Sequence, residues 1–162
     1  MKNPLVGIIM GSKSDVPIME GASKLLDKFE IPYEMKILSA HRTPDQAGEY
    51  VMGLEARGVK VLIAGAGWAA HLAGVSAART ALPVIGVPID SSPLRGMDAL
   101  LSTVQMPPGV PVATMAIGKG GAHNAGVFAV RILSLLDAEI AARYRAFIDD
   151  MAQEVMAVSD LS

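Results

Sequence analysis

The stretch Leu5–Asp15, LVGIIMGSKSD, decides the fold. Its first six residues form a continuous apolar run, which is typical of a parallel strand covered on both faces, and the Gly/Ser cluster ends that strand. A helix is predicted next, with Asp15 as its cap, Pro17 in its first turn and apolar side chains at 3.6-residue spacing up to Phe29. The rest of the chain repeats this order of strand and helix.

Four more strands are predicted, at residues 33–37, 59–64, 83–87 and 110–117, and the first of these alternates apolar and polar residues, as an edge strand does. Four more helices are predicted. The first spans 44–57, with a Thr43–Gln46 capping box at its start and Gly58 at its end. The second reaches about Thr80, the third is short and spans 96–104, and the last is a tail over 123–158 with a break near Asp137.

This alternation predicts one α/β domain over residues 1–162. Its expected architecture is a three-layer, doubly wound, five-stranded parallel sheet with right-handed crossovers, flavodoxin-like, with a long C-terminal helical tail. In such sheets ligands bind beyond the carboxyl ends of the strands, close to the point where strand order reverses. The loops after the first four strands are therefore the candidate binding loops.

Composition predicts an oligomer. Apolar residues make up 51% of the 162 residues and charged residues 19%, which is rich for a small monomer and favours a subunit interface. The tail is too long to lie across a five-stranded sheet alone, so we expect it to pack on a neighbouring subunit. The net charge of −2 gives no general attraction for nucleic acid or anionic lipid, and neither is an expected partner.

Residue types limit the chemistry. The sequence has no cysteine, which excludes disulfides and thiolate nucleophiles, and its histidines, His41, His71 and His123, lack a second ligand at metal-binding spacing. No metal is therefore expected. No apolar run approaches a membrane span and the start lacks a signal-peptide core, so we expect a cytoplasmic protein with no membrane contact.

The loop Gly11–Asp15 joins a buried strand to a helix N-terminus, where free N–H groups and the helix dipole attract an anion. It lacks the glycine spacing of the dinucleotide and Walker motifs. Two interpretations remain open: a phosphate loop, or an ordinary capped turn. Asp15 likewise either caps the helix or accepts hydrogen bonds from ligand hydroxyls.

The loop Ser39–Pro44 is a more specific signal. His41 can exchange a proton near neutral pH, and Arg42 offers a forked, permanently charged phosphate clamp. A lone histidine is usually structural, but its place at the carboxyl end of a strand favours catalysis. In the loop Gly65–His71 small residues let the backbone approach a flat ligand, and His71 either lines the pocket or bonds to backbone. Lys119 and His123, in the fifth loop, are expected to face solvent.

These loops together resemble a known family, the catalytic subunit of phosphoribosylaminoimidazole carboxylase, and more closely its bacterial branch, the N5-carboxyaminoimidazole ribonucleotide mutases of purine biosynthesis. The matching segments appear in order and span most of the chain: Met10–Asp15, Ser39–Pro44, Ala64–Leu72, Gly86–Pro88, Val104–Pro107 and Gly109–Val112.

The resemblance implies an isomerase that moves a carboxylate from the exocyclic nitrogen to the ring carbon of a ribonucleotide, through trapped carbon dioxide and without a cofactor. His41 is then the catalytic proton carrier. Ser12 and Arg42 are expected to hold the phosphate and Asp15 the ribose, and the rest of the substrate-binding site is expected to comprise Gly11, Ser14, Ser39, Gly67, Ala70, His71 and Leu72. The family also implies a homo-octamer.

The match has departures. Trp68 stands where many members of the family have glycine, and residues 90–95 and 120–123 do not match clearly. A related branch instead carboxylates aminoimidazole ribonucleotide directly with carbon dioxide. The segments Gly67–Leu72 and Gly86–Pro88 are more similar to the mutase branch, which leaves the direct carboxylase as the alternative enzyme.

A non-enzymatic alternative is a signalling receiver or a flavin-binding module, since both share this order of strands and helices. A receiver needs acidic residues after the first strand and an aspartate after the third, where this chain has Gly11-Ser12 and Gly65-Ala66-Gly67. A flavin module needs aromatic residues around the ring, and only 4% of this chain is aromatic. Both alternatives are disfavoured.

Overall fold

The computed structural model describes residues 3–160, which form one five-stranded parallel sheet with the order β2-β1-β3-β4-β5. The strands are β1 Val6–Met10, β2 Tyr33–Ile37, β3 Val61–Gly67, β4 Val84–Ile89 and β5 Ala113–Thr114. The predicted doubly wound, flavodoxin-like sheet is confirmed, with β2 at an edge. Strand order reverses between β1 and β3, which is where such folds bind ligands.

Helices cover both faces of the sheet. They are α1 Val16–Lys28, α2 Pro44–Met52, α3 Leu72–Ala77, α4 Met97–Val104, α5 Lys119–Leu133 and α6 Ala138–Met156. On β1, Ile8 faces the core formed with α1, α5 and α6, whereas Ile9 faces the core formed with α2 and α3. Because successive side chains of a strand point to opposite faces, one apolar run supplies both cores.

Several element boundaries differ from the predicted ones. α2 ends at Met52 rather than Arg57, because Leu54 turns into the core and a separate 3-10 turn, Glu55–Arg57, follows. Gly58 ends that turn in the left-handed conformation, with φ of 88°. β3 continues to Gly67, three residues beyond its predicted end, since it stays paired with β4 as far as Ile89. β5 has only two residues.

The predicted helical tail over 123–158 is corrected in its bounds. It is two helices, and the first begins at Lys119 and packs on α1 as part of the central core. The break near Asp137 is confirmed: its carboxylate caps α6 by accepting hydrogen bonds from the backbone N–H of Glu139 and Ile140 at 2.8 and 3.1 Å. Leu136 is exposed because it lies in the break.

The first two and last two residues of the predicted domain lie outside the described residues. Within residues 3–160, no helix combines the length and the apolar composition that a membrane crossing requires.

Candidate active site

The loops after β1, β2, β3 and β4 surround one cavity of about 540 Å³ at the carboxyl edge of the sheet. It lies at the point where strand order reverses, as the topology predicts. Ten of the eleven predicted site residues line it: Gly11, Ser12, Ser14, Asp15, Ser39, His41, Arg42, Gly67, His71 and Leu72. Ala70 is buried behind the lining.

The first loop places its hydroxyls toward the cavity. Lys13–Asp15 form a single 3-10 turn, and Ser12 caps it by accepting hydrogen bonds from the backbone N–H and the hydroxyl of Ser14, at 3.4 and 3.1 Å. The prediction that the Asp15 side chain caps α1 is wrong, since that side chain makes no capping hydrogen bond. Ser12 caps the 3-10 turn, and the Asp15 carboxyl group is available for another role.

Asp15 is a buried carboxyl group that lines the cavity, only 4% exposed. Burial raises its pKa, while hydrogen bonds from Ser12 and Ser14 and the positive charge of Arg42 oppose that rise. A buried carboxylate is stable only when hydrogen-bond donors surround it. Hydroxyl groups of a ligand would supply further donors.

The second loop joins the first through Arg42. Its guanidinium donates a hydrogen bond to the carbonyl oxygen of Gly11, and its Nε donates to Ser39 Oγ at 3.4 Å. The predicted capping box is not formed: Thr43 Oγ1 instead accepts a hydrogen bond from Ser39 N–H at 2.9 Å. Thr43 thus stabilises the loop rather than the helix N-terminus. The Arg42 guanidinium lies beside the loop Gly11–Asp15, which is called the serine loop below.

His41 and His71 are in direct contact within the cavity. Nε2 of His41 lies 2.8 Å from Nδ1 of His71, and the two rings stand nearly perpendicular, at 80°. At this distance one ring nitrogen donates a hydrogen bond and the other accepts it, and which one donates depends on the tautomer. The ring of His71 therefore contacts His41 inside the cavity.

The third loop makes close backbone approaches. A Cβ on Gly67 would lie 1.9 Å from Ser91 Oγ and 3.1 Å from the carbonyl oxygen of Ile89, so glycine at this position lets the segments after β3 and β4 approach closely. Ser91 lines the cavity, as do four apolar residues that the site prediction omitted: Ala66 near the end of β3, and Ala40, Trp68 and Ala69 in the loops. Their positions at the carboxyl edge of the sheet were the available signal. Lys119 and His123 are exposed and outside the lining.

The fold and the cavity define a doubly wound α/β protein with a cavity at its switch point, lined by a serine-containing loop and a histidine pair. The family model described as "AIR carboxylase" matches residues 5–154. The chain belongs to the AIR carboxylase family.

Similar proteins agree with that assignment. The chain is 56% identical over 157 residues to the N5-carboxyaminoimidazole ribonucleotide mutase of Bacillus subtilis, covering 97% of both chains. It is 54% identical to the protein of that name from Pyrococcus horikoshii, covering 95% of this chain and 86% of the relative. Among solved structures, Treponema denticola PurE superposes with a TM-score of 0.86 at 32% identity, with 95% of each chain covered.

Proposed function

We propose that this chain is an isomerase of de novo purine biosynthesis. It converts 5-carboxyamino-1-(5-phosphoribosyl)imidazole into 5-amino-1-(5-phosphoribosyl)imidazole-4-carboxylate, the activity for which the relatives described above are named. The observation that carries the proposal is the contact between His41 and His71, made inside the same cavity as the serine loop and Arg42. A proton carrier and an anion site are thereby within reach of one small ligand.

The proposed binding mode assigns each end of the cavity to a part of the ribonucleotide. The phosphate binds the hydroxyls of Ser12 and Ser14 and the guanidinium of Arg42, which lie between two helix N-termini. Asp15 accepts hydrogen bonds from the ribose hydroxyls. The base lies toward His41, and the rest of the predicted set shapes the pocket: Gly11, Ser39, Gly67, His71 and Leu72, with Ala70 behind them.

The reaction begins when the bond between the exocyclic nitrogen and the carboxylate breaks. Carbon dioxide leaves, the bonding electron pair stays on nitrogen, and nitrogen takes a proton from the histidine pair. The amine then pushes electron density onto the ring carbon, which attacks the trapped carbon dioxide. His41 removes the proton from that carbon and the ring regains its aromatic system, so the histidine pair ends with the proton it began with.

The contact with His71 suits this cycle. A proton donor and a proton acceptor are needed in turn at one place, and two rings whose nitrogens lie 2.8 Å apart can exchange those roles through small movements. The cavity lining also includes apolar side chains, among them Ala40 and Leu72, and such side chains favour carbon dioxide over water. Because the proton and carbon dioxide are both returned, the reaction as proposed uses no cofactor.

The proposal extends to assembly and location. We place the catalytic domain over residues 1–162, as a cytoplasmic homo-oligomer that is an octamer by family resemblance. An apolar stripe on α6 supports an oligomer: Ile148, Met151 and Val155 continue the buried face of this helix but are exposed. The partners are the ribonucleotide and carbon dioxide, with no nucleic acid and no membrane.

A substrate comparison tests the proposal. The purified protein is incubated with the N-carboxylated ribonucleotide and, separately, with aminoimidazole ribonucleotide plus bicarbonate, and the 4-carboxylate product is measured by its ultraviolet absorbance. We expect rapid conversion of the first substrate only. Efficient use of the second would instead assign the chain to direct carboxylation, and conversion of neither would overturn both enzymatic assignments.

A further inference from the structure

Trp68 is the large aromatic side chain at the rim of the cavity. It follows Gly67, the last residue of β3, and lines the cavity while 59% of it remains exposed. It is also the single tryptophan of the sequence. Nearly all other apolar residues of the lining are alanines, so Trp68 offers the largest apolar flat surface beside the rings of His41 and His71.

The backbone at Trp68 is unfavourable for such a residue. Its φ of 54° lies in the left-handed region, which glycine adopts freely and bulky residues avoid. Backbone strain of this kind concentrates at functional sites, where the residue does something that a relaxed alternative cannot do. Here glycine would relieve the strain and would also remove an exposed apolar surface, so the indole itself needs an explanation.

The lining of the cavity explains why an indole is present at this position. The lining combines the serine loop and Arg42 with Ala40, Ala66 and Ala69, whose side chains are too short to cover the face of a flat ring. The exposed indole is free to change rotamer within nanoseconds. Aromatic rings prefer to stack on one another with an offset, and stacking on a base is one of the common means of holding a nucleotide.

We propose that Trp68 is a positioning residue whose indole stacks on the imidazole ring of the bound ribonucleotide and covers the site during carboxylate transfer. This inference rests on the proposed function. Trp68 takes no part in bond making. It fixes the ring relative to His41 and covers an otherwise open side of the pocket, which keeps water from the carbon dioxide.

Fluorescence offers a direct probe, because excitation at 295 nm reports on this one indole. The probe ligand is the product, 5-amino-1-(5-phosphoribosyl)imidazole-4-carboxylate, and ribose 5-phosphate is the matched control that lacks the base. The product is expected to change the Trp68 emission by at least about a fifth at saturation, an order-of-magnitude expectation for a stacked indole. Ribose 5-phosphate is expected to leave the emission unchanged. Equal responses to both ligands, or none to the product, would overturn the inference.

Three variants separate stacking from a structural role. Trp68→Gly relieves the backbone strain and is expected to raise Tm by about 2–4 °C, while KM for the ribonucleotide rises about 10-fold or more because the stacked surface is lost. Trp68→Phe keeps an aromatic face and is expected to stay within about 3-fold of wild-type kcat/KM. Trp68→Ala retains the Cβ and so is expected to raise KM without the gain in Tm.

The outcomes are distinguishable from those of the proposed function. If the wild type interconverts the two ribonucleotides but Trp68→Gly has unchanged KM and kcat, the role of Trp68 is refuted and the enzyme assignment stands. If the wild type is inactive with both substrates, the enzyme assignment falls, while a product-specific change in emission would still support stacking. A lowered sedimentation coefficient in Trp68→Gly with unchanged KM would make Trp68 a subunit contact instead, which also refutes the inference.

Discussion

His41 and His71 reach the cavity from β2 and β3, the two strands that flank β1, and their ring nitrogens lie within hydrogen-bonding distance. The proposed reaction takes up one proton and returns one proton, so it needs a proton carrier beside the reacting atoms, and His41 is the proposed carrier.

The first prediction concerns His41→Asn. Asparagine keeps a similar size and hydrogen-bonding capacity but cannot carry the proton, so kcat is expected to fall by about 10²–10⁴-fold. Binding of the 4-carboxylate product, measured by isothermal titration calorimetry, is expected to stay within about 3-fold of wild type, since the phosphate and ribose contacts remain.

His123→Asn is the matched control, because this exposed histidine of α5 lies outside the cavity lining. It is expected to keep full activity. If His41→Asn retained wild-type turnover, another group would have to carry the proton and the proposed role of His41 would be lost.

Asp15 illustrates a residue whose role the sequence left open between helix cap and ligand contact. In the structure it makes no cap, and burial raises the pKa of its carboxyl group. A raised pKa in the folded state means that the charged form is disfavoured by folding, so this contribution to stability is present in acid and is lost as pH rises through the folded-state pKa.

Asp15→Asn is therefore expected to match the wild type in acid and to exceed its unfolding free energy at neutral pH by on the order of 1 kcal/mol. The same variant is expected to raise KM by about 10-fold or more, because a charged hydrogen-bond acceptor for the ribose is lost. Chemical denaturation at several pH values and steady-state kinetics measure the two effects.

Asp149→Asn on the exposed surface of α6 is the control and is expected to change neither quantity. A variant at position 15 that is less stable than the wild type at neutral pH would show that the carboxylate stabilises the fold, contrary to its burial. Unchanged KM would remove Asp15 from the binding site.

At the scale of elements, the sequence predicted which segments are strands and helices better than where they end. The apolar run of β1 and the alternation of β2 are local signals, and both strands lie where they were predicted. The extension of β3 to Gly67 depends on pairing with β4, and the early end of α2 depends on burial of Leu54. β4 and the core residues that bury Leu54 lie far along the chain from these two boundaries, so no local pattern could reveal them.

α6 combines two environments on one apolar face. Ile140, Tyr144 and Phe147 are buried against the chain's own core, and the following turns leave Met151 and Val155 on the same face exposed. A truncation at Asp137 would remove the buried half and damage the fold. A test of the subunit contact must therefore change the exposed half alone.

The double variant Met151→Glu, Val155→Glu places two carboxylates in that stripe. We expect a lower sedimentation coefficient with unchanged helical circular dichroism, because charge is costly in an interface and harmless on a free surface. Ala142→Glu, Ala146→Glu adds the same charge with the same spacing to exposed positions on the opposite face and is expected to sediment like the wild type. A sedimentation coefficient that Met151→Glu, Val155→Glu leaves unchanged would exclude this stripe from the interface.

For the whole molecule, general rules of chain topology predicted where the site residues meet. Alternating elements with right-handed crossovers bring the carboxyl ends of the strands to one edge, which is why ten predicted site residues meet in one cavity. The rules do not give distances between loops. The contact of His41 with His71 and the approach of Ser91 to Gly67 both depend on those distances, and both went unpredicted.

Carbon labelling tests most directly whether one carboxylate moves within a covered site. The N-carboxylated ribonucleotide is prepared with ¹³C in its carboxylate and converted by the enzyme in buffer containing unlabelled bicarbonate, and the product is analysed by mass spectrometry. Most of the 4-carboxylate is expected to carry ¹³C, because the released carbon dioxide is recaptured before it escapes. A product whose carboxylate has the isotopic composition of the buffer would show that carbon dioxide is not held in the site and would refute the proposed transfer.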